Sequence, residues 1–212
     1  MNNFSAEDSI KFGWETFKKR PWFFIGVAAI LLVISSISSA LSPSSENFSN
    51  NVPLSLIGFL ASLAISTLID MGVTSLSLKA SSNTSAVKFE DLWHPKPFWK
   101  YLAAAMLTGL VVVIGFIFLI VPGVLLALML MFVKFLVIDR NLGPIEAIKE
   151  SARVTKGYKW KLFVLLLLIV LINIVGFFLL FIGLLVSIPV SALAVAHAYR
   201  TLSRMHTPVQ SA

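Results

Sequence analysis

Four strongly polar side chains lie inside long apolar stretches of this sequence: Asp70, Lys134, Asn173 and His197. Hydrocarbon solvates such groups poorly, so within a membrane they mark binding sites, ion pathways or contacts between helices. Asp70 and Lys134 carry opposite charges, and an unpaired charge in a bilayer costs about 2.5–3.5 kcal/mol on insertion scales. The first hypothesis is therefore an ion pair between two helices. Two alternatives stay open for Lys134: its ammonium reaches the nearby interface along its own stem, or it lines a wet cavity.

The remaining polar groups do not form a catalytic pattern. Asn173 is expected to donate a hydrogen bond to a neighbouring helix rather than bind a ligand. His197 lies near the end of an apolar stretch, where an interfacial position explains it better than metal binding does. Neither His94 nor His206 stands at metal-ligand spacing from it. The chain also has no cysteine, no glycine-rich phosphate loop and no G-x-S-x-G motif. We therefore expect no enzyme activity, no metal and no cofactor.

The elements that must position these groups are membrane spans. Hydrophobic residues make up 58% of the chain and charged residues 13%, whereas a soluble domain carries about 25% charged residues. A helix that crosses a bilayer needs about 20 apolar residues. Six stretches meet this requirement: residues 22–41, 53–76, 98–120, 122–138, 160–180 and 182–199. The sequence predicts an all-α, multi-pass membrane protein of six transmembrane helices arranged as three hairpins.

The basic residues predict the orientation of these spans. Of the 17 Lys and Arg residues, all except Lys134 fall on one side of the membrane when six spans are counted. The positive-inside rule makes that side cytoplasmic, so both termini are expected inside a bacterial-type inner membrane. The net charge of +7 is then explained by orientation and by anionic lipid headgroups rather than by nucleic acid. A signal peptide cleaved near residues 35–40 is the alternative for the first span.

The chain is interpreted as one membrane domain that uses the same unit three times. Each unit is an amphipathic cytoplasmic segment, a basic and aromatic boundary, and a helical hairpin. Trp22, Trp99 and Trp160 mark the boundaries as interfacial anchors. An amphipathic leader (1–21) precedes the first hairpin (22–77). Residues 78–138 and 139–203 each hold an amphipathic segment and a hairpin, and a tail (204–212) follows. The stretches "VIGFIFLIVPG" and "NIVGFFLLFIG" place glycine and a turn at similar distances from the last two tryptophans.

Helical spacing predicts which faces are packed. In the second span Gly58, Ser62, Ser66 and Asp70 recur every fourth residue, a small-residue stripe that favours close helix packing and would turn Asp70 toward the interior. The amphipathic segments are expected to lie in the headgroup plane on apolar faces. Those faces are Ile10, Trp14 and Phe17 in the first segment, Phe89, Leu92 and Trp93 in the second, and Ile145, Ile148 and Ala152 in the third.

The connection between the second and third hairpins carries a recognisable motif, "FLVIDRNLGPIEAIKESARVTKGYKW". It resembles a stretch of the uncharacterised integral membrane proteins related to the membrane domain of bacterial glycerophosphoryl diester phosphodiesterases. The matching residues include Asp139, Asn141, Gly143, Pro144, Glu146, Ser151, Thr155, Lys156 and Gly157. The resemblance implies a six-helix membrane domain of poorly defined role. The phosphodiesterase activity belongs to a separate soluble domain, so it is not implied for this chain.

Two functions are consistent with these observations. The first is a non-enzymatic membrane domain that binds lipid, with anionic headgroups at its cytoplasmic face, or a membrane-protein partner. The alternative is a transporter or permeation protein that uses Asp70 and Lys134. The opposite charges and the internal repeat favour the alternative. Against it, the repeats run in the same orientation, and Pro189 is the one position where the sequence indicates an interrupted span.

Overall fold

A computed structural model describes residues 4–42, 52–93, 96–179 and 182–206. The α-helices are α1 (Ala6–Lys19), α2 (Pro21–Leu41), α3 (Val52–Ser82), α4 (Phe98–Phe118), α5 (Ile120–Met129), α6 (Val133–Arg140), α7 (Pro144–Val154), α8 (Lys159–Phe178) and α9 (Ile182–His206). Two short 3₁₀ helices, Thr84–Ala86 and Phe89–Leu92, connect α3 to α4. The described ranges contain no strand, which confirms the all-α prediction. Glu46 and His94 lie outside them.

Six helical stretches are long and apolar enough to cross a membrane, as predicted. They are α2, α3, α4, α5 together with α6, α8, and α9. The second and sixth spans continue past their predicted ends at residues 76 and 199, to Ser82 and His206. Their extra turns bind each other, because Arg200 of α9 donates through Nε to Ser81 Oγ (2.8 Å) and through Nη2 to the Leu78 carbonyl (2.8 Å).

The fourth span is not the continuous helix predicted over residues 122–138. It is divided into α5 and α6 by a turn at residues 130–132, where the amide of Val133 donates to the carbonyl of Leu130 (3.2 Å). Leu130 and Phe132 are both buried. Irregular backbone at membrane depth is tolerated only where protein or a polar cavity surrounds it. The turn is consistent with that rule, because the surrounding protein covers it.

Packing differs strongly between the two ends of the helices. We call the end where α2, α4 and α8 begin the basic end, and the opposite end the apolar end. Buried side chains crowd toward the basic end, and the largest of them include Phe132, Leu136, Tyr199 and Leu202. In the apolar parts of the fourth and sixth spans 44% of residues are buried, against 17–22% in the other four. The fourth and sixth spans are therefore central, and the others surround them.

Helix α1 packs along α9 through small residues that the predicted apolar face did not include. Ser9, Gly13 and Thr16 are buried, and a Cβ on Gly13 would lie 2.5 Å from the carbonyl oxygen of Val190. Small side chains let two helix backbones approach closely. Of the predicted face, Phe17 is buried and Trp14 is exposed.

Of the other two predicted amphipathic segments, one packs through residues outside its predicted face and the other forms a different type of helix. Helix α7 packs through Ala147, Ser151 and Val154, whereas Ile145 of the predicted face is exposed. The Ile145 side chain of α7 therefore faces the surroundings of the protein. The second segment forms the 3₁₀ helix Phe89–Leu92 rather than an α-helix.

The last two hairpins each contain a close contact between two glycines at the apolar end. A Cβ on Gly115 of α4 would lie 3.1 Å from Cα of Gly123 in α5. Likewise, a Cβ on Gly176 of α8 would lie 3.1 Å from the carbonyl carbon of Gly183 in α9. Each hairpin therefore closes on a pair of glycines, and the similarity between the two stretches has a structural counterpart.

We expect Gly176→Ala to lower the thermal stability of the detergent-solubilised protein. The new methyl group would also lie 2.7 Å from Ser187 Oγ, and overpacking of this kind costs about 1–3 kcal/mol. Gly109→Ala is the matched control, because nothing lies within 4 Å of a Cβ there. Equal melting temperatures for the two variants would contradict the proposed role of the glycine contact.

Candidate functional site: the polar groups of the helical bundle

Asp70 of α3 and Lys134 of α6 form an ion pair in which the ammonium donates to the carboxylate. Of the three possibilities for Lys134, this geometry corresponds to the pair. The predicted interior position of Asp70 is wrong, because its side chain is 42% exposed and that of Lys134 is 41% exposed. The pair lies on the flank of the bundle, where α3 and α6 meet.

A buried tyrosine adjoins the pair. The hydroxyl groups of Tyr101 and Thr74 are 3.2 Å apart, and the Tyr101 hydroxyl also interacts with the Asp70 carboxylate. Tyr101 comes two residues after the exposed anchor Trp99. The cluster therefore lies within about one turn of the start of α4. That depth explains how a half-exposed ion pair is tolerated, since headgroups and water are within reach of a lysine stem.

The small-residue stripe of α3 contacts α2 rather than forming a ligand site. Ser38 of α2 donates to the carbonyl of Ser62 (3.2 Å), and its hydroxyl lies 3.2 Å from that of Ser66. Ser62 is buried, whereas Gly58 is partly buried and Ser66 is exposed overall. Ser62 and Ser66 of the stripe therefore make a helix-packing contact.

Asn173 bridges α8 and α9. Its amide nitrogen donates to Ser191 Oγ (2.9 Å) and to the carbonyl of Ile169 (2.8 Å), and its amide oxygen accepts from Ser187 Oγ (2.9 Å). Both amide N–H groups and the amide oxygen have partners, so the side chain works as a helix–helix link. The signal in the sequence was the serine pair four residues apart on α9, which the sequence analysis did not use.

His197 contacts α1. Its ring stacks on Phe12 with centroids 4.3 Å apart, and its Nδ1 lies 3.4 Å from Ser9 Oγ. Among the residues that the structure describes, no group of three His, Cys, Asp or Glu side chains could hold a metal ion. The contact between His197 and the N-terminal helix, 188 residues away in sequence, could not be read from the pattern.

The linking motif ends α6 and starts α7. Asp139 accepts a hydrogen bond from Tyr199 Oη (2.8 Å). Asn141 ends α6 in the left-handed region (φ 51°), and its carbonyl and side-chain oxygens accept from Lys100 Nζ at 3.1 and 3.2 Å. These bonds attach the end of the fourth span to α9 and to the start of α4.

The next motif residues fix the direction of α7. Pro144 occupies the first turn, and Glu146 Oε2 accepts from the amide of Gly143 (3.1 Å). Gly157 follows the helix with φ +85°, a backbone conformation that favours glycine. Lys156 is exposed. With the exception of Lys156, these residues therefore have a conformational role.

Ser151 closes the break in the fourth span. Its hydroxyl donates to the carbonyl of Met129 (2.7 Å) and accepts from the amide of Phe132 (3.3 Å). Thr155 Oγ1 adds a longer contact of 3.5 Å to the same carbonyl. Helix interruption leaves backbone groups without intrahelical partners, and Ser151 supplies partners to one on each side of the turn. The sequence motif contained Ser151 and Thr155, but the break that they serve was not predicted.

An ion pair fastens the 3₁₀ segment to α3. Lys79 Nζ lies 2.6 Å from Asp91 Oδ1. Burial raises the pKa of Asp91, but the hydrogen bonds from Lys79 and from the Lys88 amide outweigh it, so the pKa is held below its usual range. At pH values above the ordinary carboxyl pKa, a depressed pKa contributes stability to the folded state. This contribution is lost as the pH falls through the folded-state pKa.

We expect Ser151→Ala to destabilise the protein by about 1–3 kcal/mol, because it leaves the Met129 carbonyl and the Phe132 amide without their hydroxyl partner. The measurement is the melting temperature in detergent. Ser85→Ala at an exposed position is the matched control and should leave stability within about 0.5 kcal/mol. A Ser151→Ala protein as stable as this control would show that the break is held by other contacts.

Two mycobacterial proteins resemble this chain over almost its whole length. It is 25% identical to the uncharacterized protein Rv2560 of Mycobacterium tuberculosis, across 95% of this chain and 70% of that protein. It is 24% identical, over the same shares, to the uncharacterized protein Mb2590 of Mycobacterium bovis. No solved structure matches. Nothing in these comparisons links the chain to the membrane domain of glycerophosphoryl diester phosphodiesterases. Residues 105–206, which hold most of the last two hairpins and the linking motif, match a family described as "Protein of unknown function (DUF975)".

Proposed function

We propose that this chain is a non-enzymatic integral membrane domain that binds anionic phospholipid at its basic end. We further propose that the domain lies in a bacterial-type inner membrane, with both termini cytoplasmic and its amphipathic segments at the inner headgroup level. The alternative is that the same end binds a membrane-protein partner, and the lipid test distinguishes this alternative from lipid binding.

The observation that carries the proposal is the set of three anchors. Trp22, Trp99 and Trp160 begin or adjoin α2, α4 and α8, and they are 84%, 77% and 75% exposed. Each stands beside lysine or arginine: Lys18, Lys19 and Arg20 at the first, Lys96 and Lys100 at the second, and Lys159 and Lys161 at the third. Large aromatic side chains that project from the bundle next to cations favour the headgroup region. Basic clusters there attract anionic lipids, by about 1 kcal/mol per residue near the surface.

Helix α7 supports the same placement. Its packed face is flanked on one side by the exposed Ile145 and the partly buried Ile148, and on the other by charged residues that include Lys149 and Arg153. A helix with one protein-facing, one apolar and one charged side fits a position where protein, hydrocarbon and headgroups meet. The positive-inside rule then makes the basic end cytoplasmic.

The proposal is tested by reconstitution in nanodiscs of zwitterionic lipid, with and without an anionic phospholipid. A ligand that binds the folded state raises its stability, so the melting temperature should rise when anionic lipid is present. The increase should shrink at high salt, because exposed charges are screened within about 3 Å at 1 M ionic strength. Equal melting temperatures in the two lipid mixtures at low salt would overturn the proposal and favour a protein partner.

One observation favours transport as a second candidate function. The break at residues 130–132 lies directly before Lys134, and discontinuous spans beside charged groups are typical of substrate and ion sites in transporters. In this protein, however, the break is covered by buried side chains and its backbone groups are bound by Ser151. The first function is therefore better supported.

Asp70→Asn, Lys134→Met and the double variant separate the two candidates. If the pair is structural, each single change lowers the melting temperature and the double change restores part of it, with a coupling energy of about 0.5–3 kcal/mol. The measurement is thermal unfolding in detergent. Little change in any variant would mean that both charges already reach water, and transport would become the better explanation.

A further inference from the structure

We propose that the groove between α1, α8 and α9 holds one acyl chain of an anionic phospholipid, whose headgroup lies at the end of α1. This inference rests on the proposed function and locates the bound lipid on the protein. The groove has a volume of about 450 Å³, and its walls are carried by Ile172, Val175 and Leu179 of α8 and by Val186 and Val190 of α9. Ile10 and Trp14 of α1 complete the lining.

The contact between α8 and α9 gives the groove its floor. Gly176 and Gly183 both line it, and each would place a Cβ within about 3 Å of the other helix, as the glycine contact described above shows. Because neither glycine has a side chain, α8 and α9 approach closely, and the groove lies over their contact between the flanking valines and leucine. The polar group in the lining, Ser187, is already bonded to Asn173. The groove therefore offers hydrocarbon contact and selects an apolar occupant.

Helix α1 is fixed in place as the cover of this groove. Gly13 contacts the backbone of Val190, and both Phe12 and Ser9 contact His197. These contacts lie on the face of α1 next to Ile10 and Trp14, so the two groove-lining side chains are held without moving. A binding surface that is already ordered loses less entropy when its ligand binds.

Charge at the end of α1 identifies the headgroup. Lys18 Nζ lies 5.8 Å from the centre of the Trp14 ring, and Lys18 and Lys19 are exposed in the last turn. Two acidic residues of α1, Glu7 and Asp8, lie in the first turn, at the far end of the helix. The third, Glu15, leaves the end of α1 with an excess of positive charge from Lys18, Lys19 and Arg20. Two cations beside the mouth of an apolar groove complement a phosphate group attached to a hydrocarbon chain.

The lining and the charge of the groove favour a lipid as occupant. The groove follows the direction of α8 and α9, and its side chains are almost all apolar. A single hydrocarbon chain can lie along it while its phosphate group meets Lys18 and Lys19 at the end of α1. The lipid is therefore the occupant that fits both the lining and the charge.

Native mass spectrometry of the full chain tests the proposal, with phosphatidylglycerol and phosphatidylcholine added to the detergent-solubilised protein. The wild-type protein should retain one phosphatidylglycerol more firmly than phosphatidylcholine. Val186→Trp fills the groove and should lower this retention about tenfold, while the matched control Val113→Trp, on an exposed position of α4, should not. Lys18→Gln should reduce the preference for phosphatidylglycerol, and Lys156→Gln, at another exposed lysine, is its control.

The outcomes separate this inference from the proposed function. No preference for phosphatidylglycerol in the wild-type protein would overturn both. A preference that persists equally in Val186→Trp and Val113→Trp would overturn the groove and leave the proposed function. A dimer lost in Val186→Trp, without a bound lipid in the wild type, would replace the lipid with a second copy of the chain.

A second measurement tests the proposal even if Val186→Trp fails to fold. Phosphatidylglycerol with brominated acyl chains should quench the fluorescence of Trp14, obtained as the difference between the wild-type protein and Trp14→Phe. Absence of quenching in this difference would overturn the proposal even if Val186→Trp were unstable.

Discussion

The hydrogen bonds of Ser151 are the interaction on which the centre of this bundle depends. They satisfy the Met129 carbonyl and the Phe132 amide on either side of the turn in the fourth span. Low-dielectric surroundings make an unpaired backbone group costly, so the turn requires a polar group from α7. Helix α7 is thereby anchored to the fourth span, and the redirected α6 brings Lys134 to Asp70. The motif between the last two hairpins is thus the segment that makes an irregular span possible.

The same requirement explains why the basic end is compact and the apolar end is open. Polar groups near the basic end, such as Tyr101 and Arg200, need partners from other helices because lipid offers none. Helices that carry such groups must therefore converge. Toward the apolar end the bonds of Asn173 link only α8 and α9, and lipid tails solvate leucine and phenylalanine as well as protein does. There, a pair of glycines is sufficient to close each of the last two hairpins.

The number and approximate position of the spans could be predicted because length and hydropathy constrain them directly. The pairing of Asp70 with Lys134 was available as a hypothesis, since opposite charges in apolar segments attract. The helix break was not predictable, because Met129, Leu130 and Phe132 are as apolar as their neighbours and the signal lies about 20 residues away, in Ser151. The protein-facing sides of α1 and α7 were not predicted, for a related reason. Hydrophobicity marks the side that avoids water, whereas close packing in these helices uses Ser9, Gly13 and Ala147.

The packing of α1 against α9 has a consequence for the order of assembly. Ser9 and His197 are separated by 188 residues, so α1 cannot reach its final position until α9 has been made. At a synthesis rate of about 5–20 residues per second, the delay is roughly 10–40 s. During that interval the buried face of α1 has no partner in the chain, and the membrane surface is the nearest apolar phase. The N-terminal helix is therefore the piece that completes the fold, and its docking reports that all three hairpins have been inserted.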